Sequence, residues 1–596
     1  MNKRKTIMSC IKGYWLYTIL SPVCVALEVV MEILIPLVIA DIVNIIDASS
    51  SNAEAKLLIL KFLANVSVQR GAIYAGLILI GLAIISLLFG ALSGIFCAKA
   101  SVGFAKNLRQ AIYYNVQDFS FENIDKFQTS SLITRCTTDV TNVQNAFQMI
   151  IRIAVRAPFM LVFAFVMAFK INANVSMIFV YVVPILAVLL FIIMNLAHPN
   201  FKIMFKKYDR LNTVVQENVA GSRTVKAYVR EEHEINKFKV ASQDIYKYSA
   251  RAERILAFVN PFMQAAVYTC FLVVSYLAAK MITVGDMTTG DLSVLFTYIM
   301  QILMSLMMLS MIIVMVTMSR ESIIRIKEVL KEETTIKNPL NPVYDVADGS
   351  IVFDHVNFSY TGDPNKLALE DINVSIKSGQ TVGVIGGTGS AKSSFVNLIP
   401  RLYDITSGSL KIGGIDVKDY DIKSLRNQVS VVLQKNVLFS GTIKSNLLWG
   451  DKNATDEELI HASKLAQADE FVSTFPDKYD SRIEQGGSNV SGGQKQRLCI
   501  ARALVKKPKI LILDDSTSAV DTKTDALIRE AFAKEIPNTT KIIVAQRISS
   551  IEDADLIIVL DDGKINGMGT HKELLENNKI YREVYTSQVK GVGSNE

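Results

Sequence analysis

The chain is poor in the residues that build cross-links and metal clusters. Its six cysteines, at 10, 24, 97, 136, 270 and 499, show neither paired spacing nor clustering, and its five histidines are scattered. That pattern excludes a disulfide framework and a zinc site and leaves the cysteines a packing role. A cleavable leader is not expected either. The basic start MNKRKTIMSCIKGYW fits a short interfacial helix, but the apolar run from about 14 to 46 is far too long for a signal-peptide core, and no small-residue cleavage site stands out. No strict GxxxxGK[ST] loop occurs, and the 281–290 loop contains neither Lys nor Arg.

What is present is hydrophobic and unevenly placed. Hydrophobic residues make up 50% of the chain and the mean hydropathy is +0.30, values that point to a membrane protein. Most of the apolar residues precede about 320, and the remainder has the mixed charge of a soluble α/β domain. Apolar runs long enough to cross a bilayer lie near 14–46, 71–97, 150–170, 174–196, 255–280 and 292–318, six in all. The third and fourth are separated only by residues 171–174, a tight hairpin.

The connections from the second to the third run and from the fourth to the fifth are long and helix-like, without Pro/Gly-rich breaks. Paired helices of that length, at ~1.5 Å per residue, reach roughly 35–40 Å beyond the bilayer. Residues 200–254 carry twelve Lys/Arg, so the positive-inside rule places both excursions, and the N-terminus, in the cytoplasm. The net charge of +7 is thereby read as membrane topology, with no nucleic-acid partner. Expected boundaries are 1–335 for the membrane domain, 336–348 for a charged, Pro/Asn-rich linker and 349–596 for the soluble domain.

Within that domain, VGVIGGTGSAKSSFVNL (382–398) reads as a buried strand, a glycine-rich turn and a helix opening at Lys392. The turn residues Gly386, Gly387, Thr388, Gly389, Ser390 and Ala391 and the first helical residues would cradle a phosphate. Backbone N–H groups face the anion, Lys392 supplies a point charge, Ser393 a hydroxyl for Mg²⁺, and Ser394 follows. Ala391 stands where a second glycine belongs; if the turn demands a positive φ there, alanine costs on the order of 1 kcal/mol. Downstream, ILILDD (510–515) is an apolar run ending in two carboxylates, as expected of a parallel strand presenting Asp514 to Mg²⁺. Between them lies SGGQKQR, 491–497.

Together these motifs resemble the nucleotide-binding domain of an ATP-binding-cassette (ABC) transporter, in which SGGQ is the family signature. Six spans with paired helical extensions and a following cassette resemble a type IV exporter half-transporter. The fold class implied is therefore a membrane α-helical domain of six spans with long cytosolic helical extensions, followed by an α/β P-loop domain that binds ATP and Mg²⁺. The resemblance makes the tips near 120–126 and 223–230 coupling helices and Tyr360 the aromatic that stacks on adenine. It makes Gln434 the Q-loop glutamine that reaches Mg²⁺ and the attacking water, and residues 518–521 (SAVD) the D-loop. It implies that Ser491, Gly492, Gly493 and Gln494 serve the nucleotide held by a partner chain, across a head-to-tail cassette pair.

Two positions depart from the family pattern. After Asp514 the family places Glu as the base that orients water, and here it is Asp515. One methylene fewer withdraws the carboxylate by about 1.5 Å, and such a displacement can lower rates ~100-fold. The switch-loop histidine is replaced by Gln546, which hydrogen-bonds but does not titrate. Two such losses beside an intact SGGQ resemble the degenerate-site subunit of a heterodimeric bacterial multidrug-type exporter, which binds ATP and lends its signature to a second half-transporter. The substrate class implied is amphipathic (drug, lipid or peptide). A first span beginning near 14 leaves little room for a peptidase domain, which counts against leader-cleaving peptide export. A slow homodimer and an ATP-gated, channel-like protein remain the alternatives.

Two features inside the spans stay open in sequence. Glu28 and Glu32 sit four residues apart on one helix face, where a buried carboxylate is costly unless paired or wet. They fit either a cationic substrate or a structural partner. Met300, Met304, Met307, Met308, Met311, Met315 and Met318 repeat at helical spacing, which fits either an adaptable pocket wall or plain packing and lipid contact.

Overall fold

The computed structural model describes residues 6–51, 57–61, 67–516 and 520–592. Six helical segments are long and apolar enough to cross a membrane: Trp15–Asp47, Val68–Gln117, Thr129–Ile171, Ala173–Ala220, Glu231–Val284 and Thr289–Lys331. They belong to α1 (Trp15–Ser51), α2 (Val68–Gln117), α4 (Thr129–Thr134) with α5 (Val140–Ile171), α6 (Ala173–Ala220), α8 (Glu231–Leu256) with α9 (Val259–Val284), and α10 (Thr289–Lys331). At ~1.5 Å per residue, helices such as α2 and α6 are roughly twice as long as the ~30 Å hydrocarbon layer. In α2 and α6 the span and its extension are therefore one continuous helix.

The ends of these helices follow local chemistry. Only Asn172 separates α5 from α6, and its side-chain oxygen accepts from the Val175 N–H at 3.2 Å, capping α6. Thr288 and Asp291 form a reciprocal capping box at the start of α10. The first turn of α8 gathers Glu231, Glu232 and Glu234 at the positive end of its dipole.

The chain divides into two compact units, Met1–Gln117 with Thr129–Glu332, and Asp118–Gln128 with Glu333–Glu596. The tip of the first excursion, α3 (Phe121–Lys126), thus belongs to the cassette's unit, whereas that of the second, α7 (Ser222–Ala227), stays with the membrane unit.

The core of the membrane unit joins Val25, Val29 and Ile33 of α1 to Tyr298, Ile299 and Ile302 of α10, and the Tyr298 hydroxyl donates to the Ile33 carbonyl at 2.9 Å. Beside it, Arg156 of α5 donates to Glu28 at 2.5 Å and to both oxygens of Glu32 at 2.7 and 2.8 Å. Of the two readings open for this carboxylate pair, the structure supplies the structural partner. Met300, Met304, Met307 and Met311 are exposed while Ile299, Ile302, Leu303 and Leu306 of the same helix are buried, so the methionines point away from this protomer's core. Met318's side chain lies outside the described residues.

In the cassette unit, a four-stranded antiparallel sheet has the order β2-β1-β4-β5, with β1 (Ile351–Phe358), β2 (Leu369–Ile376), β4 (Ser407–Ile412) and β5 (Ile415–Asp416). A six-stranded sheet has the order β12-β11-β3-β10-β9-β6, with β3 (Thr381–Ile385), β6 (Val429–Val432), β9 (Ile510–Asp514), β10 (Thr540–Val544), β11 (Leu556–Asp561) and β12 (Lys564–Gly569). All of its neighbours pair in parallel except β11 and β12. β9 and β10 are buried at every position, as strands covered on both faces must be.

A short ladder joins β7 (Gly441–Thr442) to β8 (Arg482–Ile483). The remaining helices are α11 (Lys392–Leu398), α12 (Ile422–Gln428), α13 (Ile443–Leu447), α14 (Asp456–Leu465), α15 (Asp469–Val472), α16 (Gly492–Val505), α17 (Thr522–Glu535), α18 (His571–Asn577) and α19 (Lys579–Val592).

Candidate nucleotide site

Parallel register builds the site. Val544 pairs with both Val384 and Asp514, so the turn after β3 and the carboxylates at the end of β9 emerge side by side at the C-terminal edge of the sheet, where open α/β folds bind ligands. The turn from Gly386 to Ala391 leads straight into α11. At Gly386 a Cβ would lie 2.1 Å from the Leu560 carbonyl oxygen and 2.5 Å from Ser390 Oγ, so only glycine fits. Ser390 closes the turn by donating from Oγ to the Gly387 carbonyl at 2.8 Å, while Gly387, Thr388 and Gly389 are exposed to a ligand.

Ala391 caps α11 with φ 67° and ψ 25°, the left-handed conformation that alanine disfavours. The conditional penalty read from the sequence therefore applies. Ala391→Gly is expected to stabilise the cassette by about 1 kcal/mol, seen as a higher midpoint of thermal unfolding. An unchanged or lower midpoint would contradict this.

Lys392 bends over the loop, its Nζ donating to the Gly386 and Gly387 carbonyls at 2.8 Å each. Burial pulls its pKa down, against the pull of Asp515 and Asp514 in the other direction. Burial likewise raises the pKa of Asp514, opposed by a hydrogen bond from the Ser393 hydroxyl, with the neighbouring Asp515 charge raising it and Lys392 lowering it. Anionic phosphate would favour the half-buried ammonium, and a cation would favour the ionised carboxylates beside it.

The Ser393 hydroxyl beside the Asp514 carboxylate is an all-oxygen donor set of the kind Mg²⁺ takes, one or two protein ligands with phosphate and water completing the shell. A pH dependence follows. Because the folded-state pKa of Asp514 is raised, its protonated form is favoured in the fold. That stabilisation is fully present below the unfolded carboxylate pKa and is lost as pH rises through the higher folded value. Cation binding requires the ionised form, so Mg²⁺-dependent nucleotide affinity should weaken on acidification at a pH above the ordinary Asp value of ~3.9. Calorimetric titration across pH 5–8 would check this, and Asp514→Asn should flatten the dependence.

The two positions that depart from the family pattern lie together. Gln546 Nε2 donates to Asp515 Oδ2 at 2.7 Å, and Gln434 Nε2 approaches the same oxygen at 3.3 Å. Asp515 is held at φ 48°, its N–H bonded to the Val544 carbonyl at 3.0 Å. Gln588 of α19 bridges the switch segment, accepting from the Ile548 N–H at 2.9 Å and donating to the Gln546 carbonyl at 2.8 Å. Sequence reading missed Gln588, because the contact spans forty residues and a glutamine on a C-terminal helix carries no local signal.

Tyr360 is 44% exposed and shares a 2.8 Å hydroxyl contact with Ser394. Ser491 and Gln494 form a capping box at the N-terminus of α16: Ser491 Oγ accepts from the Gln494 N–H at 3.2 Å and the Gln494 side chain accepts from the Ser491 N–H at 2.9 Å. Ser491 and Gly492 are exposed, Gly493 and Gln494 partly so. Among the described residues, no hydrogen bond joins 491–494 to the phosphate loop or to Asp514 and Asp515. Of the expected D-loop, Ser518 and Ala519 lie outside the described residues; Val520 is buried and Asp521 caps α17 through its side chain.

A phosphate loop, an acidic strand end and a separate exposed signature turn, joined in one chain to six spans, define a membrane-transport ATPase subunit. The comparisons agree. The ABC transporter transmembrane region family matches residues 18–306 and the ABC transporter family matches 369–518. The ABC transporter ATP-binding protein YfiB of Bacillus subtilis (strain 168) is 36% identical over 519 residues, covering 87% of this chain and 90% of that protein. YknU of the same organism is 33% identical over 486 residues, covering 81% and 83%.

The chain belongs to the ABC transporter family. Its fold is that of a bacterial Atm1-family ABC exporter with ATP bound, at a TM-score of 0.80 and 22% identity over 97% of this chain and 99% of that one. It is a multi-pass membrane protein with a cytoplasmic nucleotide-binding domain.

Proposed function

We propose that this chain is the nucleotide-holding subunit of a heterodimeric ABC exporter for amphipathic substrates. Lys392, Ser393, Asp514 and Tyr360 would bind Mg²⁺ and ATP at its own site, and Ser491–Gln494 would complete the site of a second, catalytically competent half-transporter. The observation that carries this reading is the Asp515–Gln546 hydrogen bond. The carboxylate that should orient water is short by a methylene and engaged by an amide that cannot take up a proton in exchange.

In this reading the residues act by binding and orientation. The phosphate-loop N–H groups and Lys392 would hold the triphosphate, and Ser393 and Asp514 would hold a Mg²⁺ able to neutralise phosphate charge. Asp515, turned toward Gln546, leaves the γ-phosphate intact for many cycles. Nucleotide binding at both sites would then close the cassettes, with hydrolysis confined to the other site.

Purification from the native membrane tests the pairing: a second, related half-transporter should be recovered with the chain. Recovery of this chain alone with full transport ATPase activity would sink the proposal. Reconstituted vesicles separate pump from gate. Uphill accumulation of an amphipathic dye that stops with non-hydrolysable ATP is expected, and passive flux under that nucleotide would contradict export.

A further inference from the structure

One tyrosine links the adenine side of the site to the short helix α3. Tyr360 is fixed at its hydroxyl by Ser394 of α11 at 2.8 Å, and its ring stands edge-on to Tyr403, centroids 5.2 Å apart at 86°. Tyr403 also packs against Phe358 at 5.7 Å and edge-on to Phe121 of α3 at 5.9 Å. Its hydroxyl donates to Asp125 Oδ2, in the same α3, at 2.6 Å.

Both ends of this chain of contacts are anchored. Arg401, almost fully buried, holds the segment before Tyr403 by bonding Asp404 at 2.7 Å and the Lys418 carbonyl at 3.3 Å. At the other end, α3 is set by a Ser120–Asn123 capping box, by Ser120 Oγ against Thr335 Oγ1 at 2.8 Å and by Asn123 Nδ2 donating to the Glu333 carbonyl at 3.1 Å.

We propose that Tyr403 is a positioning residue that ties adenine occupancy at Tyr360 to the docking of α3 through its Asp125 hydrogen bond. The inference rests on the reading of Tyr360 as the adenine-stacking residue. A base stacked on Tyr360 restrains its ring, and the ring's edge contact then restrains Tyr403, whose hydroxyl holds the α3 carboxylate. Burial and the Asp125 carboxylate push the Tyr403 hydroxyl pKa far up, so it remains a donor throughout the physiological range. The phosphate loop alone does not make this connection, because no side chain of the 386–391 turn bonds α3 among the described residues. The device reads the base, and a triphosphate without one leaves it unset.

Hydrogen exchange of the 118–128 segment in the full-length protein in lipid nanodiscs tests this. Mg-ATP should slow exchange there by about fivefold, the low end of ordinary coupling between sites, whereas inorganic tripolyphosphate with Mg²⁺ should not. Tyr403→Phe keeps the ring contacts and removes the hydroxyl. It should abolish the ATP-dependent slowing while leaving ATP affinity within about twofold, since α3 is docked in the ground state and the coupling is read in its rare openings. Asp125→Ala should behave the same way.

ATP-dependent slowing that survives Tyr403→Phe, or equal slowing by tripolyphosphate, would overturn the proposal. Tyr360→Ala is the control for the reading beneath it: unchanged ATP affinity in that variant would remove the stacking role itself, independently of what Tyr403 does.

Discussion

Arg156→Met should strip the membrane unit of most of its stability. The guanidinium serves Glu28 and Glu32 together, and the three side chains are between 10% and 24% exposed. Removing the cation leaves two carboxylates side by side, with no water-like medium to screen them. Breaking a buried pair by deleting one partner costs about 3–5 kcal/mol, and here two partners are stranded at once. The expected result is a sharp fall in folded protein recovered from the membrane.

The triple variant Arg156→Met, Glu28→Gln, Glu32→Gln should recover most of the loss, because it removes the charges as a set. Arg156→Lys should fall between, a point charge being unable to form both contacts of the planar fork. Detergent-solubilised thermal unfolding would rank the variants. A stable Arg156→Met protein would mean that the carboxylates are solvated and the triad is not structural.

The second large effect concerns catalysis. If this chain pairs with a catalytically competent half-transporter, as proposed above, replacing that partner's catalytic Glu by Gln should lower steady-state ATP hydrolysis by about 100-fold or more, while Asp515→Asn in this chain should change it less than about threefold. The asymmetry follows from geometry. Asp515 Oδ2 already accepts from the Gln546 amide at 2.7 Å, an engagement that competes with holding a water. Its replacement removes a hydrogen bond and leaves water activation elsewhere untouched. The converse variant is equally informative: Asp515→Glu with Gln546→His should create hydrolysis at this chain's site, measurable when the partner's base is absent. If Asp515→Asn abolished turnover and the partner's variant did not, the sites would be assigned the wrong way round.

Much of this was legible along the chain, for reasons that differ by element. Spans are visible because a bilayer imposes length and hydropathy on consecutive residues, and the phosphate loop because its backbone geometry demands particular residues at fixed intervals. Both are local constraints. Ala391 was half legible: the residue is plain to read, but whether it bears a penalty depends on a φ that only the folded turn specifies, and the value is 67°. Arg156 was invisible as the partner of Glu28 and Glu32, since 128 and 124 positions separate them. The same holds for Tyr403 with Asp125, 278 positions apart, and for Gln588.

Residue order was thus enough to establish six crossings and a nucleotide-binding cassette, and to raise the expectation that the catalytic positions are occupied by Asp515 and Gln546. Each of those is a statement about which side chain occupies a position in a local pattern. Folding alone determined that these two altered residues bond to one another, that the span carboxylates share one guanidinium, and that a tyrosine beyond the phosphate loop reaches α3. Such pairings depend on distances between segments remote in the chain, and a linear pattern specifies the segments but not the few ångströms by which their side chains meet.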